Sequence, residues 1–483
     1  MLKPSPRPVL LLAHGGFVVR NLLLGTFAER VMLDRPLLAA VLDPKEPELL
    51  RRFAGRPVRF MEHVSEPGRD LSTFEKMRTL RTLAYYFQIG AKGTKGVELA
   101  ERIYDGGHSV AGDAAGGLLK KLGFLLQRLG WLGAFESFYL RRTRDWPITL
   151  EWKRILEREW PSVVVSSMLT LAKKFHPSVD LPPLIAAQEL GIPCGMLVQS
   201  WDNLSTKMGV LPVWLDRYWS WSPRMNGELG SLYPHLPPER FRIVGSPQFD
   251  FHRRPELKLS RSEHAAGVGL DPARPYVLIG TGTPKALPDE HLVVAELIRR
   301  LIGTRPDLQI LLRLHPKDYS DRWVGLEAEL SALGTAIRRT QTDRHLDEGA
   351  VVSPFDFYRQ QVNDLYHSAA VVNCASTLTV DAALLDKPVI CLTYDHGPDW
   401  QFPEGRARAF ATGSHYAPLA ATGGIAMADG PDAALAAVLA YLQDGGLHAE
   451  GRRLIVEMVT ATPDGGAGEA LAIEALALAV RAG

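Results

Sequence analysis

Three short stretches of this chain place phosphate-binding chemistry at the ends of apolar runs. Asn373-Cys374-Ala375-Ser376-Thr377 follows the apolar run at 369–372 and precedes a helical run at 378–385. Hydroxyls and free backbone N–H groups at a helix N-terminus, where the helix dipole is positive, attract anions. Gly280-Thr281-Gly282-Thr283-Pro284-Lys285 follows the run at 276–279, and His315-Pro316-Lys317-Asp318 follows the run at 310–314, which contains Arg313. Taken singly, each is a weak signal. The first suits an ordinary Ser/Thr helix cap, the glycine loop is neither a Walker loop nor G-x-G-x-x-G, and a lone histidine is more often structural. Together they are three successive ends suited to a phosphate or diphosphate. Gly282, Thr283, Lys285, Arg313, His315, Ser376 and Thr377 are the candidate phosphate-binding residues. Asp381 and Asp395 are candidates for ribose or sugar hydroxyls, and both suit a cap or loop role as well.

The elements that must position these groups are legible as a pattern. Apolar runs of four to six residues, too short for helices, are expected of strands buried on both faces of a parallel sheet. In the second half they lie at 276–279, 310–314, 369–372 and 389–393, and the last two flank a helical run. In open sheets of this kind ligands bind at the carboxyl ends of the strands. The first half repeats the pattern at 9–13, 37–42, 58–60, 162–166, 194–198, 217–220 and 241–244. Its first strand ends in His14-Gly15-Gly16 before a helix at 21–33, and the run at 194–198 enters Gln199-Ser200-Trp201-Asp202-Asn203-Leu204-Ser205-Thr206-Lys207. The polar stretch 252–273 reads as a linker. The expected fold class is α/β, with two Rossmann-like doubly wound domains facing a cleft. Residues 1–252 form the acceptor domain, 253–455 the donor nucleotide domain, and 456–483 a tail ending in a helix at 469–480.

Composition narrows the function classes. The chain has 483 residues, 46% hydrophobic and 23% charged, an ordinary globular balance. Lys+Arg of 55 against Asp+Glu of 54 leaves a formal charge of +1, so nucleic acid is not an expected partner. Cys194, Cys374 and Cys391 follow no metal spacing and are expected as core thiols in a reducing compartment. No signal peptide and no membrane span is expected, which points to the cytoplasm. The segment 118–142, rich in Leu, Phe and Trp with Lys120, Lys121, Arg128, Arg141 and Arg142, suits either a membrane-surface helix or a core-facing helix with snorkelling cations. Gly123, Gly130 and Gly133 weaken it as a continuous helix.

The stretch from Asn363 to Ile390 resembles the donor-site region of CDP-glycerol glycerophosphotransferases and related bacterial surface-polysaccharide transferases. Arg313-Leu314-His315-Pro316 is similar to their His-Pro motif, and Gln199-Ser200-Trp201 to their Gln-x-Trp. The resemblance covers about residues 195–395. It implies the GT-B fold, with His315 and the Ser376-Thr377 helix terminus on the donor phosphates. Where those enzymes carry a catalytic histidine after the tryptophan, this chain has Asp202, which is more similar to the His-Pro-motif sialic acid and Kdo transferases with CMP-activated donors.

The resulting expectation is an inverting glycosyltransferase. It would move a sugar from a nucleotide-linked donor, CMP or CDP favoured and UDP possible, to a glycan or lipid-linked glycan acceptor at the bacterial surface. The nucleotide-sugar is a substrate, no cofactor is implied, and the lack of Asp-x-Asp leads us to expect no obligatory metal. Peripheral contact with the cytoplasmic face of the membrane is an accompanying expectation. Asp202 is the first candidate for the base that takes the acceptor proton and His14 the rival, with Gly15, Gly16, Trp201, Asn203 and Lys207 on the acceptor side. The alternatives are a non-hydrolysing UDP-N-acetylglucosamine 2-epimerase and a non-catalytic glycan- or nucleotide-binding assembly protein. The epimerase's Gly-Thr-Arg-Pro after the first strand is absent here.

Overall fold

The structure is a computed structural model. It describes residues 6–64, 125, 128–167, 180–202, 204, 215–232, 236–339, 356–399 and 401–480. Short runs of Val, Leu, Ile and Ala form strands buried on both faces, as fits parallel sheets covered by helices on either side. The first sheet is built from β1 (Val9–Ala13), β2 (Leu37–Val41), β3 (Val58–Glu62), β4 (Val163–Ser166), β5 (Cys194–Leu197), β6 (Arg217–Ser220) and β7 (Phe241–Ile243), in the order β3-β2-β1-β4-β5-β6-β7. The second is built from β8 (Tyr276–Gly280), β9 (Gln309–Leu314), β10 (Thr335–Arg339), β11 (Ala370–Asn373), β12 (Val389–Leu392) and β13 (Ile425–Ala428), in the order β10-β9-β8-β11-β12-β13. All pairings are parallel. In each sheet the order reverses beside the first strand, between β1 and β4 and between β8 and β11. Such reversal points open a crevice at the carboxyl edge.

Several boundaries differ from the sequence pattern. The helix expected at 21–33 is Thr26–Asp34, preceded by one helical turn, Gly16–Val18, and a π-helical turn, Val19–Leu23. The stretch expected as a linker holds short 3₁₀ turns and the helix Arg261–Val268, which Ser260 and Glu263 start with a reciprocal capping box. The boundary expected at 455 falls inside the helix Ala449–Val459, which packs on both Leu378–Leu384 and Pro223–Leu232. The last helix, Ala467–Val480, returns to the first domain and packs on Thr26–Asp34. In the segment 118–142, residues 118–124, 126 and 127, which include Lys120 and Lys121, lie outside the described residues. Within it a turn at Gly130, φ +68°, precedes the helix Leu132–Thr143, and Leu125, Leu129, Trp131 and Phe138 are exposed. Among the described residues no helix is long and apolar enough to cross a membrane. Cys194, Cys374 and Cys391 are buried and free.

The two domains are joined by a buried crossing, residues 249–253. Asp250 accepts from Thr26 Oγ1 at 3.0 Å and from the backbone N–H groups of Ala467 and Gly468 at 3.0 and 2.8 Å, closing the N-terminus of the last helix onto the first domain. Two residues on, His252 Nε2 donates to Asp381 Oδ1 at 2.7 Å in the second domain. Gly468 has no room for a side chain: a Cβ would lie 2.3 Å from Thr26 Oγ1 and 2.8 Å from the Phe27 backbone nitrogen. Gly468→Ala should therefore lift the last helix and cost about 1–3 kcal/mol, read as a lower thermal midpoint. An unchanged midpoint would show that this contact yields freely.

Candidate functional site

The carboxyl edge of the second sheet carries the three turns singled out above. After β11 the chain makes a tight turn in which Ala375 takes a left-handed φ of +43°, and its N–H group meets Cys391 Sγ at 3.3 Å. A non-glycine residue at positive φ is strained, and such strain concentrates at functional turns. Asn373 Oδ1 accepts from the Ser376 N–H group at 3.1 Å and from Thr379 Oγ1 at 3.2 Å. The Asn373 Nδ2 group is left buried, with no acceptor among the described residues. After β8, Thr281 Oγ1 accepts from the His315 N–H group at 3.0 Å, and the Gly282 N–H group donates to Glu290 Oε2 at 2.7 Å. Leucine side chains occupy the space beside both glycines: a Cβ on Gly280 would lie 2.4 Å from Leu378 Cδ2, and one on Gly282 would lie 2.8 Å from Leu287 Cδ1. At Gly280 the loop after β8 thus packs against Leu378, the first residue of the helix Leu378–Leu384.

His315 is set by its own turn. The Lys317 backbone N–H group donates to His315 Nδ1 at 3.0 Å, so the neutral ring carries its proton on Nε2. Burial first, then the cations Lys317, Arg322 and Arg313, push its pKa down to about 4. At neutral pH His315 is an uncharged N–H donor, a group able to bind a phosphate oxygen. Arg313 and Asp381 depart from their expected places. The Arg313 guanidinium is buried and donates to Asp364 Oδ2 at 2.6 Å, which Arg338 also meets at 2.9 Å, so its charge is already matched inside the domain. Asp381, in the first turn of its helix, is buried against His252 at the domain crossing. Thr283 Oγ1 accepts from the Ala286 N–H group at 3.3 Å, and Lys285 is exposed.

Across the cleft stands the carboxyl edge of the first sheet. His14, at the end of β1 beside the order reversal, is buried with Gly15 and Gly16. Its ring lies edge-on to His63, centroids 5.0 Å apart. Downstream, Arg20 is clasped by the rings of Phe17, Phe357 and Tyr358 at 4.5, 4.3 and 5.1 Å, and Tyr358 donates its hydroxyl proton to Asn21 Oδ1. These contacts hold the loop after β1 against the second domain. After β5, Trp201 Nε1 donates to Thr377 Oγ1 at 3.3 Å and its ring tilts over His415 at 5.8 Å. Asp202 is half-buried in the same turn, where Ser200 Oγ donates to its Oδ1 at 2.5 Å. Asn203 and Lys207 lie outside the described residues. The two ligand edges therefore face each other, with the Trp201–Thr377 bond spanning them.

Beside the turns of the second sheet lies a pocket open to solvent, lined among others by Glu290, Cys374, Tyr394, Asp395, Asp399 and Arg406. Asp395 accepts from the Ala407 N–H group at 3.2 Å, and burial raises its pKa. The Tyr394 hydroxyl is buried with no partner among the described residues. Sequence reasoning passed over Glu290, Tyr394 and Arg406, because only the fold brings them to one wall. Among the described residues no cluster of His, Cys, Asp and Glu has metal-binding geometry.

No protein-family model matches the sequence, and no curated protein is similar to it. Solved structures are similar in fold. The chain matches a complex of S. aureus MnaA with UDP at 12% identity and a TM-score of 0.51, over 96% of this chain and 94% of that one. It matches UDP-GlcNAc 2-epimerase from Neisseria meningitidis bound to UDP-GlcNAc at 10% identity and 0.50, over 97% and 99%. It matches a glycosyltransferase from Rickettsia africae at 10% identity and 0.50, over 99% of each chain. At these identities the likeness concerns architecture: this chain has the GT-B arrangement of two Rossmann-like domains about a cleft.

Glu290 gives the site a pH signature. Burial, only partly offset by Arg322 and the Gly282 N–H group, raises its pKa from 4.5 to about 7. A carboxyl held above its unfolded value contributes stability that is fully present below pH 4.5 and is lost as pH rises through 7. The shift corresponds to a decline on the order of 3 kcal/mol across that window. Glu290→Gln retains an acceptor for Gly282 and removes the titration. Denaturant midpoints at pH 5 and pH 8 should therefore converge in this variant. An equal pH slope in both proteins would place the titrating group elsewhere.

Proposed function

We propose that the protein is an inverting glycosyltransferase that uses a nucleotide-sugar. The observation carrying this reading is the Trp201–Thr377 contact, which sets a buried imidazole at the reversal point of one sheet opposite three phosphate-suited turns at the reversal point of the other. In the proposed reaction an acceptor hydroxyl attacks the anomeric carbon and gives its proton to His14. The bond from that carbon to the phosphate oxygen breaks, and its electron pair leaves with the phosphate. The neutral His315 N–H group, the hydroxyls and N–H groups of Ser376 and Thr377, and the glycine loop receive the developing charge, where fixed donors need no reorganisation. The pocket walled by Tyr394, Asp395 and Arg406 takes the nucleoside. The resemblance favours a cytidine nucleotide with a surface-glycan acceptor, and a uridine nucleotide is the next candidate.

His14 takes precedence over Asp202 as base on geometric grounds. It stands at the strand-order reversal with its ring held by a buried neighbour, whereas Asp202 takes part in a local turn bond with Ser200. With CMP-, CDP-, UDP- and GDP-sugars and a glycan acceptor, the wild type should release nucleotide in one of the four, and chelator should not stop it. His14→Ala should slow transfer by about 10²- to 10⁴-fold with nucleotide binding intact, and Asp202→Asn by much less. The reverse ranking would move the base to the loop after β5. Conversion of the donor sugar to its epimer without acceptor would replace transfer by epimerisation.

A further inference from the structure

One buried cluster takes no part in holding the donor. His63 directly follows β3, and its N–H group continues the ladder to Val41 O at 2.7 Å. Its ring packs edge-on against Trp152 at 5.1 Å, and the Trp152 indole is anchored by donating to Val64 O at 2.8 Å. His63 Nε2 donates to Asp180 Oδ1 at 3.2 Å, and Ser166 Oγ, at the end of β4, donates to Asp180 Oδ2 at 2.6 Å. The side chains of His63 and Asp180 have no solvent exposure at all.

Asp180 immediately precedes the helix Leu181–Glu189, a position at which aspartate ordinarily caps the free N–H groups. Here the side chain makes no cap bond. It turns away from its helix to the imidazole and the hydroxyl, so the fold forgoes a local interaction to place a carboxylate behind His63. A buried carboxylate requires donors, and among the described residues His63 and Ser166 supply them. With its proton on Nε2 facing Asp180, His63 keeps a bare Nδ1, buried and with no partner among the described residues. The bond to Asp180 thus selects one tautomer of the ring. This ring stands edge-on to His14.

We propose that Asp180 and His63 are positioning residues for His14. Asp180 fixes the tautomer and orientation of His63, the His63 ring fixes the plane of His14, and the carboxylate behind it favours the imidazolium that His14 becomes on taking the acceptor proton. No proton passes beyond His14. The proposal rests on the reading of His14 as base, and its test has one arm that does not use activity.

That arm is nitrogen–proton NMR of the imidazoles, with the His63 signals assigned by their loss in His63→Gln. Wild-type His63 should show the single Nε2–H tautomer, and Asp180→Ala, which removes the acceptor that selects it, should leave the two tautomers mixed. A wild-type proton on Nδ1 overturns the arrangement. The kinetic arm compares Asp180→Asn and His63→Gln with wild type. Each should lower kcat at least about 10-fold, the scale on which partners that orient a functional imidazole act, while donor KM and calorimetric nucleotide affinity stay within about 2-fold. If one variant fails to fold, the other carries the comparison. Unchanged kcat in a folded variant, or a matched loss of nucleotide affinity, makes the cluster core packing and overturns the proposal. Normal turnover in His14→Ala would instead sink the base assignment, and the tautomer measurement would still report on the pair.

Discussion

Asp250 and His252, two residues apart on the crossing between the domains, bind in opposite directions. Asp250 holds Thr26 and the start of the last helix on the first domain, while His252 holds Asp381 on the helix that follows β11. Both side chains are buried, and burial raises the pKa of Asp250 against the pull of its N–H donors. A buried polar group is tolerable only when matched, so losing either partner would leave the other exposed to the full desolvation cost. The relative placement of the two sheets depends on this pair. Trp201 reaches Thr377 because the crossing fixes the helix Leu378–Leu384 against the first domain.

The charges in the second domain are arranged so that the ligand edge is polar without being strongly cationic. Arg313 and Arg338 are matched by Asp364, Arg322 by Asp318, and Arg406 by Asp399. His315 is neutral by burial and by its cationic neighbours. The turns after β8, β9 and β11 also carry oriented N–H and O–H groups, beside the exposed cations Lys285 and Lys317. Fixed dipoles of this kind stabilise charge that develops during a reaction, since they do not have to reorganise.

The strands were readable in the sequence because a strand buried on both faces must be apolar at every position, as at Val9–Ala13 and Val389–Leu392. The edge strand Thr335–Arg339 escaped that test, since an edge is partly exposed and mixes polar with apolar residues; the edge strand Ile425–Ala428, short and rich in alanine, is apolar throughout and was passed over all the same. The three turns of the second domain were readable for a similar reason: each directly follows a strand. Long-range pairing was not. Asp381 looked available for a sugar because its partner His252 lies 129 residues away, and Asp180 drew no attention because His63 lies 117 residues from it. A signal for His63 was present all the same. Like His14 and His315 it stands immediately after a strand, on the edge where a parallel sheet places its ligand groups.

Titration calorimetry of CDP and UDP into the wild type and His315→Ala, with the corresponding nucleoside as control, addresses the donor edge most directly. The wild type should bind one of the diphosphates, and His315→Ala should bind it at least about tenfold more weakly, equivalent to the loss of one hydrogen bond to a charged group. The nucleoside should bind both proteins alike. Equal diphosphate affinity in the two proteins would contradict a phosphate site at the carboxyl edge of the second sheet.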